Sequence, residues 1–123
     1  MREQPQSLAN IKKAIAGSIP GGVRVKSNNG REHSSAFFDI ATYELIDDPE
    51  AVAERYYAKV IILGDRRPYS LDVMVIKQKK QGNQFYDESN IVERASKKVA
   101  SDLRTKLVQS REDTNVIDEF RAF

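Results

Sequence analysis

A single histidine, His33, sits in the run Arg31-Glu32-His33-Ser34-Ser35. A histidine beside serines is the raw material of nucleophilic catalysis, in which imidazole takes the hydroxyl proton and a carboxylate orients the imidazole. The chain lacks the Gly-x-Ser-x-Gly elbow that presents such a serine, and the run reads instead as polar strand or turn. Asp47 and Asp48 stand together before Pro49. Paired carboxylates do acid–base work when burial drives their pKa values apart; at a strand-breaking turn they read as solvated caps. The absence of Cys excludes disulfides, thiolate nucleophiles, cysteine zinc sites and iron–sulfur clusters. No Asp-x-Asp-x-Asp-Gly loop offers oxygen ligands for calcium. Gly21-Gly22 lies between a helical and a strand-like pattern, the reverse order of a phosphate-cradling loop. No catalytic, cofactor-binding or metal-ligating residue is assigned, and no cofactor is expected.

Basic residues are the remaining candidates. Arg66-Arg67 fall in a turn, and Lys77, Lys79 and Lys80 fall at the far end of the following strand. A strand of that length separates the two clusters by roughly 35 Å, so they do not form one patch. Arg94, Lys97, Lys98 and Arg104 lie on one face of a helix, which reads first as a solvated face and second as a cationic stripe.

These groups must be positioned by elements that the apolar spacing predicts. Ser7 is placed to cap a helix over about 7–18, with Leu8, Ile11, Ala14 and Ile15 on one stripe, stopped at Pro20-Gly21-Gly22. Val23 to Lys26 reads as a short strand, and Asn28-Asn29-Gly30 as a hairpin turn. A second strand is expected from about Ser34 to Ile46, with a bulge or burial on both sides to explain its imperfect alternation. A turn of helix is expected at about 49–53. Tyr56, Ala58, Val60 and Ile62 share one face of the next strand, and Arg55, Tyr57, Lys59 and Ile61 the other. Residues 69–79 return as its antiparallel partner. A polar connection over 78–84 leads to Asp87, placed to cap a helix over about 88–110 with Ile91, Val92, Ala95, Val99, Leu103 and Leu107 as its stripe. Val116, Ile117, Phe120 and Phe123 mark a short amphipathic tail. The expected architecture is α+β. It is a two-layer sandwich in which an antiparallel meander sheet of three to four strands is covered by a long C-terminal helix, with a shorter N-terminal helix. The organisation is one domain over 1–123, with 1–6 a flexible lead-in and 111–123 the tail.

Gly30-Arg31-Glu32-His33-Ser34-Ser35-Ala36-Phe37 resembles the Gly-x-x-His-x-x-x-Phe segment of double-stranded-RNA-binding domains. Ser96-Lys97-Lys98-Val99-Ala100 is similar to that family's Ser-Lys-Lys-x-Ala segment. The resemblance implies that His33 contacts a minor groove and that Lys97 and Lys98 contact phosphates. The layout of sheet and two helices is also similar to that of small bacterial envelope lipoproteins. That similarity implies an exported mature chain lacking its signal segment; the polar start fits a cytosolic chain as well.

Charge favours a protein partner over nucleic acid. Lys+Arg number 20 and Asp+Glu 18 in 123 residues, a net charge of +2, whereas dedicated nucleic-acid binders carry a larger basic excess. No apolar run is long enough to span a membrane as a helix. The sequence reads as a small soluble domain that binds or assembles rather than catalyses, through protein–protein interaction. The candidate partner surface is the sheet face away from the long helix, read as that of Arg55, Tyr57 and Lys59 with the inverted parity left open, together with the tail residues Phe120 and Phe123. Nucleic-acid binding through His33, Lys97 and Lys98 is the alternative, and self-association stays open.

Overall fold

The computed structural model describes the backbone of residues 1–121 and the side chains of residues 1–109. The chain orders as α1 (Leu8–Ser18), β1 (Val23–Lys26), β2 (Glu32–Ser35), β3 (Glu54–Leu63), β4 (Ser70–Gln81), β5 (Gln84–Ile91) and α2 (Glu93–Arg121). The strands form one five-stranded antiparallel sheet in the order β1-β2-β3-β4-β5. Both helices pack on one face of it. Ile11, Ala14 and Ile15 of α1 and Ala95, Val99, Leu103 and Leu107 of α2 close over Ala58, Val60, Ile62, Leu71 and Val75. No described helix is long and apolar enough to cross a membrane.

The α+β sandwich and the meander are as the periodicity predicts. Ala58, Val60 and Ile62 of β3 and Leu71 and Val75 of β4 are the residues that face the helices. Ser7 caps α1, its Oγ accepting the Asn10 N–H at 3.2 Å. Gly30 turns the β1–β2 hairpin with φ of 70°.

Five elements differ from the expectation. The sheet has a fifth strand, because residues 84–91 pair with β4 instead of linking to a helix. Gln81 and Gln84 pair across the two-residue turn Gly82-Asn83, and Gly82 supplies the positive φ that such a turn needs at its first position. Asp87 is therefore a strand residue and not a helix cap, and α2 begins at Glu93 and continues as one helix through the expected break to Arg121. The strand expected over 34–46 is real only to Ser35. The chain then leaves the sheet as a long connection over 36–53, held by bridges of Phe38 to Leu45 and Tyr56. Pro49 and Glu50 form a hydrogen-bonded turn there, without helix. Residues 1–6, expected as a flexible lead-in, run along the sheet. Gln4 bridges Tyr69, and the buried Gln6 donates to the Leu107 carbonyl at 3.1 Å.

Candidate functional site

The sheet face opposite the helices is built by alternation. Residues paired across an antiparallel ladder share a face, so the pairs Tyr57–Ile76 and Ile76–Ile91 set one row on this side. The pairs Val25–Ser34, Ser34–Lys59 and Lys59–Met74 set the next. Phe37 and Phe38, adjacent in the departing chain, part to opposite sides. Phe38 enters the main core, and Phe37 joins Tyr57 and Ile76 in a smaller cluster that Ile46 and Met74 flank. The connection over 36–53 thus covers part of the face that the helices leave open.

A stack of aromatic rings and guanidinium groups lies under that cover. The Arg55 guanidinium carbon sits 3.7 Å from the Phe37 ring centroid and 3.6 Å from that of Phe85. Its N–H groups donate to Gln78 Oε1 at 2.8 Å, the Pro49 carbonyl at 3.0 Å and Glu50 Oε1 at 3.2 Å. A guanidinium can be buried this way because its flat faces stack while its edge keeps its hydrogen bonds. Arg24 lies 4.2 Å from the Phe37 centroid and donates to the Ser35 carbonyl at 2.8 Å. The register slips between Val23 and Val25, so Arg24 is the extra residue of a bulge, a feature that re-aims a side chain. Desolvation, then the charge of Arg55, lowers the Arg24 pKa. The Tyr57 hydroxyl donates to Asp87 Oδ2 at 2.9 Å; burial and that carboxylate push its pKa up to about 12. Tyr57 is thus a fixed donor at neutral pH.

The predicted surface residues are therefore unequal. Arg55 and Tyr57 are brought together but buried, and they shape the platform from beneath. Lys59 is half-buried and paired with Glu32 at 3.4 Å. Phe123 and the Phe120 side chain lie outside the described residues. His33 is 2% exposed on the helix side of β2, and the cations acting on it are Lys12 and Lys26. Lys97 and Lys98 are exposed on the first turns of α2, beside the turn that carries Tyr43. Asp47 and Asp48 are exposed in the 36–53 connection. Among the described residues no cluster of three or more His, Cys, Asp or Glu is placed to hold a metal.

Arg24, Phe37, Gln78, Phe85 and Asp87 also belong to this surface, and their types and spacing in the sequence do not point to it. The only sequence signal was Gly82-Asn83 between strand-like runs, which marks a hairpin and would have placed Phe85 and Asp87 opposite Lys80 and Gln78. No protein-family model matches the chain, and no curated protein or solved structure matches it.

Proposed function

We propose that the chain is a non-catalytic binding module that docks a protein partner on the sheet face opposite the helices. The observation that carries this reading is a pair of aliphatic side chains left open beside a stiff cationic-aromatic platform. Val25 is 49% exposed and Ile91 47% exposed, on rows that also hold Met74, Lys59 and the Tyr57–Arg24 contact. Aliphatic surface next to held guanidinium and aromatic groups is the composition of interface anchors, because those groups bury large area while losing little freedom on binding. The polar groups of this face are largely engaged with one another, in pairs such as Arg55–Gln78, Tyr57–Asp87 and Lys59–Glu32. They are occupied as structure and are not poised as acid and base. Double-stranded-RNA binding draws less support, since it calls on His33 as a loop contact and His33 is buried within β2.

A photoreactive residue placed at Val25 or at Ile91 in the full chain, with Arg104 on the exposed side of α2 as control, tests the reading in cells. The expected result is one protein adduct shared by positions 25 and 91 and missing at 104, with Val25→Asp removing the adduct at 91. Adducts of equal spread from all three positions, or none from 25 and 91, would sink it. A nucleic-acid adduct from Lys97 or Lys98 would favour the alternative.

A further inference from the structure

A second surface feature stands apart from that sheet face. The turn over 39–43 and the start of α2 border an open cleft of about 770 Å3, within the size range of small-molecule sites. We propose that this cleft binds a small anionic amphiphile, with its acid group at the start of α2 and its apolar chain along Ile40 and Val92.

The charge of the lining is one-sided. Arg94, Lys97 and Lys98 line the cleft, and no carboxylate does. Lys98 is already engaged, with Asp102 Oδ2 at 3.0 Å and the Tyr43 ring centroid at 4.8 Å. Among the described residues Arg94 and Lys97 meet no carboxylate. Of two other surface clefts, the one beside Leu63 sets Arg31 against Glu32 and Asp65, and the one beside Ile46 is lined by Asp39, Glu44 and Glu54 without a cation; neither favours an anion. The start of α2 adds to the positive potential. Its first helical bond runs from Ser96 N–H to the Val92 carbonyl at 2.9 Å. A valine side chain has no oxygen to cap the N–H groups that follow it. Val92, Arg94 and Ala95 of this first turn line the cleft, so the positive end of the helix dipole lies at its wall.

The apolar half is equally specific. Ile40, Ala41, Val92 and Ala95 give it a hydrocarbon floor, so a bare inorganic anion would leave most of the cleft unfilled. Tyr43 closes one side in a left-handed conformation, φ 60°, which few residues other than glycine adopt. It is held there by its own N–H bonded to the Asp39 carbonyl at 2.7 Å and by stacking on the buried Phe38, centroids 5.7 Å apart. Strained backbone persists where its surroundings fix it, and such positions concentrate at ligand clamps. The wall is therefore set before a ligand arrives, which lowers the cost of binding. Ile40, Tyr43 and Val92 pack against the main core and not against the Phe37–Tyr57 cluster. The cleft and the proposed protein-docking face are separate surfaces.

The test is a titration of the full chain followed by backbone amide NMR. The probes are decanoate and decyl phosphate below their micelle concentrations, with decanol and inorganic phosphate as controls. Both amphiphilic anions should saturate, with shifts confined to residues 39–43 and 92–98. Each control should bind at least about tenfold more weakly, because it lacks one of the two halves of the ligand. Arg94→Glu with Lys97→Glu, both at exposed positions, should retain the spectrum of a folded chain and weaken decanoate by at least about tenfold. Equal affinity for decanol or for inorganic phosphate, no effect of the double substitution, shifts centred on Val25 and Ile91, or no saturation by either anion would each overturn the proposal.

Discussion

His33 shows how environment decides what a residue can do. Its Nε2 lies 2.9 Å from the Gly30 carbonyl. A carbonyl only accepts, so Nε2 carries the proton and Nδ1, buried without a partner, is the bare nitrogen of a neutral ring. Desolvation lowers its pKa below 6.5; the Gly30 bond opposes this, and Lys12 and Lys26 reinforce it. The unfolded chain therefore takes up a proton at a pH where the folded chain does not. The contribution to stability is complete above about pH 6.5 and is lost as the pH falls below it. Urea midpoints measured at pH 7.5 and 5.0 should show the native chain weakening on acidification. His33→Gln, which keeps a donor for Gly30 and does not titrate, should weaken less; an equal loss in both would remove His33 as the cause. The residue type was legible in the sequence, and its surroundings were not. Alternation puts Arg55 and Tyr57 on one face of β3 without saying which face is covered, and their burial comes from the 36–53 connection and from Phe85, partners that no local pattern in β3 reveals.

At the scale of elements, two serines close the sheet where strands leave it. β2 ends at Ser35, and the Ser35 hydroxyl takes the Ala58 N–H at 2.8 Å while donating to the Ala36 carbonyl at 2.7 Å. β5 ends at Ile91, and the Val75 N–H of β4 is taken by Ser96 Oγ of α2 at 2.8 Å, which in turn donates to the Val92 carbonyl at 2.8 Å. Each hydroxyl replaces a ladder bond that a continuing strand would have made, and each lies where water cannot stand in. Ser35→Ala and Ser96→Ala should each cost about 1–3 kcal/mol, the penalty for a buried donor left unpaired. Hydrogen exchange should quicken most at the Ala58 amide in the first and at the Val75 amide in the second; a loss spread evenly over the sheet would show that neither bond is the cause. β3 and β4 were legible because one of their faces is apolar at every second residue. β5 was not, since Gln84, Asp87, Ser89 and Asn90 are exposed and give no alternation. Its support is cross-strand, as in Gln78–Asp87 at 2.8 Å and Lys79–Glu88 at 3.7 Å, and a pattern of that kind exists only once the turn at Gly82 has set the register. The candidate surface inherited this blindness, because half of its platform stands on β5 and on the loop.

For the whole molecule, the unequal cores on the two sides of the sheet imply unequal stability. The main core joins α1, α2, β3 and β4 in one contiguous cluster, with Ile11, Ile15, Val60, Val75 and Leu103 fully enclosed. The second cluster consists of Phe37, Tyr57 and Ile76, and it ties the 36–53 connection to the sheet. Loss of contacts in the first should be felt by every element it joins; loss in the second should free the connection ahead of the rest, because local opening follows the contacts that hold each part. Leu103→Ala should lower global stability by about 2–5 kcal/mol through the cavity it leaves, and amide exchange should quicken together in α1, α2 and the central strands. Phe37→Ala removes the ring beneath Arg24 and Arg55. Its exchange should quicken first at Asp39 and Ile46, whose N–H groups pair within the connection, while Val60 and Leu103 keep most of their protection. The same substitution unseats both guanidinium groups from the proposed docking face, so partner adducts at Val25 should fall before the chain loses its fold. If Phe37→Ala quickens exchange in α1 and α2 as strongly as Leu103→Ala does, the two sides of the sheet form one cooperative unit, and the platform cannot be tuned apart from the core.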